Sequence, residues 1–422
     1  MDDAFPSEWD ARPVADCMSA IIDYRGKTPK KSPVGIPLIT AKIVKGGRIL
    51  DVSEFIPPED YDSWMRRGLP EPGDIVVTTE APLGEVAQLD GRKVALAQRI
   101  VTLRGEYGVL DNDYLKFAMQ SAFVQGQLLA RATGTTVVGI KQRELRQVLI
   151  PLPPIEEQRA IALVLGSLDD KIELNRRMNR TLEQMAAAIF KAWFVDFEPV
   201  RAKASGAASF PGMPQPVFDA LPATFADSEL GPIPEGWNLK PLKDATCLTM
   251  GQSPKSEFYN TTGDGLPFHQ GVTNYGERFP VHKTYCTVEK RVAEPGDILF
   301  SVRAPVGRIN VADERLIVGR GLAAIRHNQD WQSFMLYALK HQFAEEDSIG
   351  DGTIFTAVTK KDMEGIRIVE PTEAIGIGYE KLASAIDQQI GLNDRESRTL
   401  TETRDALLPK LLSGEVRVNP EQ

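Results

Sequence analysis

The sequence predicts an α+β protein in which two similar mixed α/β domains are separated by two long antiparallel α-helices with pseudo-two-fold symmetry. Three observations lead to this prediction. The string EPGDI occurs at 71–75 and again at 294–298, two long stretches carry heptad-spaced apolar residues, and a Pro/Ala/Gly-rich segment lies between the two halves. The two copies of EPGDI start 223 residues apart (294 − 71), which far exceeds the 20–50 residues of solenoid repeats. One whole module must therefore be used twice.

The duplication extends well beyond EPGDI. LPEPGDIVVTTEAPLGEV (69–86) aligns with AEPGDILFSVRAPVGRI (293–309), and GTTVVGIKQREL (134–145) aligns with GTIFTAVTKKDM (352–363). Short apolar runs bounded by turn residues predict strands with a few helices in each copy, at 1–154 and 237–372. In both copies PGDI predicts a turn followed by a strand, since Pro presets φ and Gly adopts conformations that other residues avoid.

The first long helix is predicted in 155–197 and the second in 373–422, a segment that includes a C-terminal tail. Residues 155–194 run without proline, and both helices carry apolar residues at heptad positions, so pairing them would bury two stripes. One seam position holds Leu165, Ile172, Ala186 and Trp193 in the first helix and Ala383, Ile390 and Leu411 in the second. The other holds Leu168, Leu182 and Ile189 in the first helix and Ile386, Leu400 and Leu407 in the second.

Polar residues interrupt both seams, and Asn175 of the first helix aligns with Asn393 of the second. In an antiparallel pair these asparagines would lie near one another and could fix the helix register. The alternative is that both side chains point to solvent. Arg404 also interrupts the second seam, and Asp169 of the first helix is expected to face water.

A connector is predicted at 198–236, because this segment is rich in Pro, Ala and Gly. It must return the chain along the first helix, which explains its length. We expect it to lie on the surface as an extended strap.

Composition excludes several classes of protein. No apolar run is long enough to span a bilayer, and the acidic start MDDAFPSEWD lacks the core of a signal peptide, which predicts a cytoplasmic protein. The three cysteines are widely spaced and there are only four histidines, so neither a metal site nor a disulfide framework is expected. A net charge of −9 argues against a general nucleic-acid binder.

No catalytic motif or cofactor-binding motif stands in a suitable context. RGKT (25–28) resembles the end of a phosphate-binding P-loop, but Ile21 occupies the position of the first glycine that this motif requires. The sequence therefore predicts a non-catalytic binding scaffold.

A duplicated protein with two binding ends suits double-stranded DNA, and each module is nearly neutral, so each could carry one basic face. Lys and Arg would contact phosphates, whereas Gln, Arg and Thr could read base edges. For each residue a solvated surface role is an equal alternative. The candidates in the first module are Lys27, Thr28, Lys30, Lys31, Thr40, Lys42, Lys141, Gln142 and Arg143, and those in the second are Gln252, Ser253, Lys255, His269, Gln270, Arg303, Arg320, Lys360 and Lys361.

These features together resemble the specificity (S) subunit of type I restriction-modification enzymes. The resemblance covers nearly the whole chain and rests on four strings: PLPPIEEQRAIALVLGSLDDKIELN, IFKAWFVDFEPV, DSELGPIPEGW and LLPKLLSGEVRV. GKTPK and GQSPK look like the loops that open each target-recognition domain. One departure is TEAIGIGYEKLASAIDQQI (372–390), where the second helix lacks the PPIEEQR start of the first, so its initial turns are expected to dock differently.

The resemblance implies a non-catalytic subunit that reads a bipartite, asymmetric DNA site, with one domain for each half and the helix pair setting the spacer. It also implies partners: two modification subunits, which hold S-adenosylmethionine and methylate adenine, and restriction subunits, which use ATP and Mg²⁺. The chain itself is expected to bind no cofactor. Helix surfaces that include Arg176, Arg177 and Arg180 are expected to receive the modification subunits.

Three alternatives remain open at this point. The chain could serve a methylation-only or related anti-phage system, it could be a coiled-coil adaptor that does not bind DNA, or it could be an enzyme in its own right. The neighbouring genes would identify a methylation-only system. A salt-sensitive shift of duplex DNA would exclude the adaptor, and methyl transfer by the chain alone would indicate an enzyme.

Overall fold

The computed structural model describes residues 5–24, 26, 28–134, 136–344, 348–349, 353–354 and 357–418. The chain divides into two compact units. The first unit comprises Met1–Asn175 and Arg395–Gln422, and the second comprises Arg176–Asp394. Each unit therefore contains one mixed α/β domain and about half of each long helix. The predicted fold class of two mixed α/β domains and two long helices is confirmed.

The domain of the first unit is built on a four-stranded antiparallel sheet, with strand order β2-β10-β7-β8, beside a three-stranded sheet, β6-β3-β9. Two short pairs, β1-β11 and β4-β5, complete it. The strands are β1 (Asp10–Pro13), β2 (Met18–Asp23), β3 (Ile36–Ile39), β4 (Val44–Lys45), β5 (Arg48–Ile49), β6 (Phe55–Ile56), β7 (Ile75–Thr79), β8 (Leu83–Gln88), β9 (Ala95–Leu96), β10 (Ile100–Gly105) and β11 (Leu149–Leu152). The helices are α1 (Val14–Cys17), α2 (Tyr61–Trp64), α3 (Asn112–Ala118), α4 (Ala122–Ala130) and α5 (Gln142–Leu145), with a 3-10 turn at Pro58–Asp60.

The domain of the second unit repeats the four-stranded sheet, but its other sheet has five strands where the first domain has three. Its four-stranded sheet has the order β15-β23-β20-β21, and its five-stranded sheet has the order β16-β18-β17-β22-β19. The strands are β12 (Phe225–Ala226), β13 (Ile233–Pro234), β14 (Asn238–Pro241), β15 (Thr246–Met250), β16 (Tyr259–Asn260), β17 (Leu266–His269), β18 (Tyr285–Cys286), β19 (Val292–Ala293), β20 (Ile298–Ser301), β21 (Ile309–Val311), β22 (Leu316–Val318), β23 (Leu322–His327), β24 (Ser348–Ile349), β25 (Thr353–Ile354) and β26 (Arg367–Glu370). The long helices are α6 (Ile155–Phe194) and α12 (Glu373–Ser413); the short ones are α7 (Glu198–Ala204), α8 (Gln215–Asp219), α9 (Leu242–Ala245), α10 (Gln332–Gln342) and α11 (Lys360–Gly365), with 3-10 turns at Ser256–Phe258 and Val272–Asn274.

The duplicated EPGDI string forms the predicted turn before a strand in both units, and its aspartate also ties the turn to the sheet. Asp74 is fully buried, accepts a hydrogen bond from the Glu71 backbone N–H at 2.8 Å, and pairs with the Arg104 guanidinium at 2.7 Å. Asp297 repeats this with the Glu294 N–H at 2.8 Å and Arg326 at 2.6 Å. The string is therefore repeated because a buried carboxylate joins the turn to the neighbouring strand.

In the first unit, α6 and α12 pack antiparallel. Asp169 of α6 pairs with Arg404 of α12 at 2.7 Å, and Lys171, further along α6, pairs with Glu396, earlier in α12, at 3.1 Å. Leu165 of α6 lies in the same buried cluster as Leu411 of α12. The expectation that Asp169 faces water is wrong, because its carboxylate also binds Lys116 at 2.6 Å and is 16% exposed.

The same two helices are antiparallel in the second unit. The Tyr379 hydroxyl of α12 donates to the Ala186 carbonyl of α6 at 3.4 Å, and the Asn393 amide donates to Asn179 Oδ1 at 2.8 Å. The heptad residues of this unit are buried as predicted: Ala186, Trp193, Ala383 and Ile390. The pairing of the two apolar stripes is thus present in both units.

Asn175 and Asn393 are both buried in the helix seams, so neither side chain points to solvent. Within the first unit the Asn175 amide donates to Glu396 Oε2 at 2.8 Å, and within the second unit Asn393 binds Asn179. A role of these asparagines in fixing the helix register stays a prediction.

The connector packs into the second unit rather than running over it as an extended strap. It forms α7 and α8 and buries Val200, Val217 and Phe218 in the same cluster as Trp237 and Tyr379.

Among the described residues, no helix is both long enough and apolar enough to cross a bilayer.

The first turns of α12 dock through glycines, which gives the departure at 372–390 a structural reason. A Cβ added at Gly376 would lie 2.3 Å from ring atoms of the buried Trp331, and one at Gly378 would lie 2.4 Å from Val217 of the connector. These two glycines allow the helix to approach the recognition domain and the connector closely.

Replacing Gly376 with alanine should lower the free energy of unfolding of the second unit by about 1–3 kcal/mol, because the Trp331 ring would have to move. The steric cost outweighs the roughly 1 kcal/mol that alanine gains in a helix. Gly166→Ala in α6 is the matched control: no atom lies within 4 Å of its Cβ, so it should be stabilising. Thermal unfolding of the two variants should shift in opposite directions, and a shift of both to higher temperature would contradict the close approach.

Candidate nucleic-acid interface

A polar groove in the second unit collects side chains from three loops that the sequence singled out. It is lined by Gln270 after β17, Ser301 and Arg303 around the end of β20, and Arg320 and Gly321 between β22 and β23. Ser253 of the Gly/Pro loop joins it, because the Arg320 backbone N–H donates to Ser253 Oγ at 3.2 Å. We call this set the second groove.

The loop that carries Arg320 is held on both sides by backbone hydrogen bonds. The Gly319 N–H donates to the His269 carbonyl at 2.8 Å, and the Gly321 N–H donates to the Gln270 carbonyl at 2.9 Å. A Cβ at Gly319 or Gly321 would lie 2.7 Å from Gln270 Cα or 2.4 Å from its carbonyl oxygen. Arg320 thus extends into solvent from a backbone with little freedom.

Arg303 is positioned by the repeated Ala-Pro turn. It lies between β20 and the cis Ala304–Pro305 bond, and its backbone pairs with Ala357 in an isolated bridge. The Val358 N–H also donates to the Val302 carbonyl at 2.9 Å, which adds a second backbone contact beside Arg303. Arg303 and Arg320 are exposed, and neither forms an ion pair with another residue of the described ranges.

The first unit has a groove at the equivalent place, built from equivalent loops. Its lining includes Glu80 before the cis Ala81–Pro82 bond, Gln98 before β10, and Lys141 after the GTT loop. The Glu80 backbone bridges to Gly139 as Arg303 does to Ala357, and Thr28 Oγ1 donates to Gln98 at 3.3 Å. We call this set the first groove.

The two grooves differ in charge. Glu80 occupies the place of Arg303, and Gln98 occupies the place of Arg320. The Glu80 carboxylate accepts from Arg99 at 3.0 Å, so this site combines an acceptor with a neutral amide, whereas the second groove presents two cations. Glu80 and Gln98 were not among the predicted residues, although the alignment of Ala81-Pro82 with Ala304-Pro305 already places Glu80 opposite Arg303.

The remaining candidates lie outside the two grooves or at their edges. Lys31 and Lys42 both face Glu54, at 2.7 and 4.0 Å, on another part of the first domain. Lys27 lies outside the described residues. Several others are exposed or half-buried: Lys30, Thr40, Gln142, Arg143 (paired with Glu144), Gln252, Lys255 (paired with Glu257), Lys360 (paired with Glu364) and Lys361.

His269 lies inside the second domain, only 2% exposed, whereas a residue that contacts DNA should be at the surface. Its Nε2 is 2.9 Å from His282 Nδ1, and His282 Nε2 is 3.1 Å from Asp313 Oδ1. Burial lowers the pKa of His269 to about 4, with a smaller contribution from His282 in the same direction. The neutral His269 ring is therefore part of the domain interior next to Gln270 and does not belong to a DNA-facing surface.

This lowered pKa predicts acid sensitivity of the second unit. The unfolded chain, with a histidine pKa near 6.5, takes up the proton before the folded chain does, so stability is full above about pH 6.5 and falls between pH 6.5 and 4. His269 alone should cost about 2 kcal/mol between pH 7.5 and 5. In His269→Gln the stability lost between pH 7.5 and 5 should be about 2 kcal/mol smaller than in the unaltered chain. His341→Gln changes an exposed histidine and should lose as much stability as the unaltered chain. Urea unfolding at both pH values measures this, and equal losses in all three proteins would contradict it.

Known proteins resemble the chain over most of its length. A family model described as "Type I restriction modification DNA specificity domain" matches residues 6–184. The putative type I restriction enzyme MjaX specificity subunit of Methanocaldococcus jannaschii is 29% identical, covering 98% of this chain and 95% of that protein. The HindI specificity subunit of Haemophilus influenzae is 27% identical over 69% of this chain and 74% of its own length.

A solved structure supports the fold alone. The S subunit of a type I restriction-modification system from M. genitalium is 18% identical, with a TM-score of 0.55 and 96% of each chain covered. The resemblance predicted from the sequence is confirmed by the domain match and by relatives that span nearly the whole chain.

Proposed function

We propose that this chain, a relative of type I restriction enzyme specificity subunits along nearly its whole length, reads a bipartite and asymmetric DNA site, with one recognition domain for each half. One observation carries the proposal: equivalent loops build a polar groove in each of the two units, with different side chains. Two copies of one scaffold with different linings suit a target made of two different short sequences.

Each groove contains the kinds of side chain that recognise base edges. Arginine makes paired hydrogen bonds to guanine, glutamine to adenine, and a carboxylate accepts from the amino group of cytosine. Lysines such as Lys30, Lys141, Lys255 and Lys361 are exposed and would contact phosphates, which orient the protein without reading sequence.

In this proposal the helix pair sets the spacer between the two half-sites and receives two modification subunits. Both helices carry large apolar side chains at exposed positions, such as Leu163 (75% exposed) in α6 and Leu392 (53%) in α12. Contiguous apolar patches on a protein surface mark interaction sites, so these side chains are candidates for the surface that receives the modification subunits. The partners would supply S-adenosylmethionine and the methylation of adenine, and restriction subunits would bring ATP, Mg²⁺ and cleavage.

The proposal is tested by mapping methylated adenines in the host genome, with the gene intact and with the gene deleted. We expect one motif to depend on this gene, made of two defined segments around an unread spacer. A single contiguous motif, or none, would contradict bipartite reading.

Binding by the purified complex with its modification subunits gives a second measurement. A duplex with both segments should bind tightly and lose affinity steeply as salt rises, because phosphate contacts release counterions. A duplex with one segment scrambled should bind much more weakly. The absence of any salt-sensitive binding to duplex DNA would favour the coiled-coil adaptor, and a complex without a restriction subunit would favour a methylation-only system.

A further inference from the structure

We infer, resting on the proposed function, that Arg303 and Arg320 select guanine in the half-site read by the second domain. By the same reasoning Glu80 and Gln98 disfavour guanine in the half-site read by the first domain. These four residues occupy two pairs of equivalent places in the two grooves.

The selection of guanine by the second groove follows from the hydrogen-bonding groups of this base. In the major groove guanine presents two acceptors, N7 and O6, and an arginine side chain offers only donors in a planar fork. Two such side chains line the second groove, and neither has an ionic partner among the described residues, so their donors face solvent. This groove is suited to acceptor-rich base edges.

The first groove has the opposite character at the same places. The Glu80 carboxylate, which accepts from Arg99 at 3.0 Å, offers no donor to N7 and O6 of guanine, whereas its remaining acceptor sites can bind an amino group of cytosine. Gln98 replaces Arg320 and can pair with adenine through one donor and one acceptor. The Thr28 hydroxyl, 3.3 Å from Gln98, holds this amide in place.

Rigid placement favours base reading over phosphate contact for Arg320. The glycines on both sides approach Gln270 too closely for any side chain, and the hydrogen bonds of Gly319 and Gly321 fix the loop. A fixed backbone limits the positions that the Arg320 guanidinium can reach, so less freedom is lost on binding than from a mobile loop. Lys255 and Lys360, in contrast, have flexible side chains that are 81% and 61% exposed, which suits phosphates.

The experiment selects targets from a duplex library, randomised in both half-sites, with the complex of this chain and its modification subunits. In Arg320→Gln and Arg303→Gln, we expect the preference for guanine at one position of one half-site to fall roughly 5- to 150-fold, with the other half-site unchanged. Gln98→Arg should introduce guanine in the opposite half-site. Arg315→Gln is the matched control, because this exposed arginine pairs with Glu289 and Glu294 outside the groove.

Each outcome decides between base reading and its alternatives. A uniform loss of affinity on all sequences, with a shallower salt dependence, would show phosphate contacts and overturn the inference. Unchanged selection by the arginine variants would overturn it as well, while the bipartite target of the unaltered complex would leave the proposed function standing. If the unaltered complex selects no sequence, the proposed function fails and the inference fails with it.

Discussion

Replacing Arg278 with methionine is expected to lower the free energy of unfolding of the second unit by about 3–5 kcal/mol. Arg278 is 6% exposed, and its guanidinium donates to Glu183 of α6 at 2.8 Å and to Asp387 of α12. Burial opposes the charged form, but Asp387 and Glu183 outweigh it and raise the pKa of Arg278 above its usual value. Methionine would leave both half-buried carboxylates without their shared cation.

This arginine joins the recognition domain to the helix pair of its own unit. The Tyr337 hydroxyl of α10 donates to the same Asp387 at 2.9 Å, and Lys340 binds the same Glu183. The cluster therefore holds a loop and a helix of the domain against both α6 and α12. Losing it should loosen this docking before the core of the sheet unfolds.

Hydrogen exchange with mass spectrometry measures the effect where it is expected. Protection should fall across α10 and β20 of the second unit, while β7 and β10 of the first unit serve as an internal reference. Arg315→Met is the matched control: its guanidinium is 49% exposed and pairs, among the residues that the structure describes, only with exposed carboxylates, so protection should not change. Equal protection in the Arg278 variant and the unaltered chain would show that the cluster does not hold the domain.

The order of domains and long helices could be predicted from the sequence because it depends on local or repeated patterns. Heptad spacing predicted the buried positions of Ala186 and Ile390, and turn chemistry predicted the start of β7. Periodicity alone would join residues 112–130 into one helix, but they form α3 and α4, with Ser121 capping the second helix through the Val124 N–H at 3.2 Å. A serine cap inside a helical pattern is a stop signal that periodicity alone overlooks.

The partners of individual charges could not be read from the sequence, because they come from distant segments. Arg278 meets Glu183 and Asp387, which lie 95 and 109 residues away along the chain. Lys31 and Lys42 lie 2.7 and 4.0 Å from Glu54, a residue without any motif, and their contact with DNA stays a prediction. Composition identifies a possible phosphate contact, but only the fold shows whether a carboxylate already neutralises it.

Inserting seven residues between Asn175 and Arg176, with seven more between Asp394 and Arg395, is expected to reduce methylation at the native target about 100-fold or more. These are the points at which the two compact units divide. Seven residues are two helical turns, so the seam positions return to the same face, and each helix lengthens by about 10 Å. If the helices set the spacer, selected targets should have spacers longer by about three base pairs, at 3.4 Å each.

Both helices must be lengthened together, because each unit has its own contacts between them. Asn175 binds Glu396 within the first unit, and Asn393 binds Asn179 within the second, so an insertion in α6 alone would force one of these pairs out of register. Seven residues inserted after Gly206 of the connector, where no atom lies within 4 Å of an added Cβ, should leave the target unchanged. An unchanged target after the paired helix insertion would show that the helices do not set the spacer. A lost target after the connector insertion would show that the connector sets the spacing.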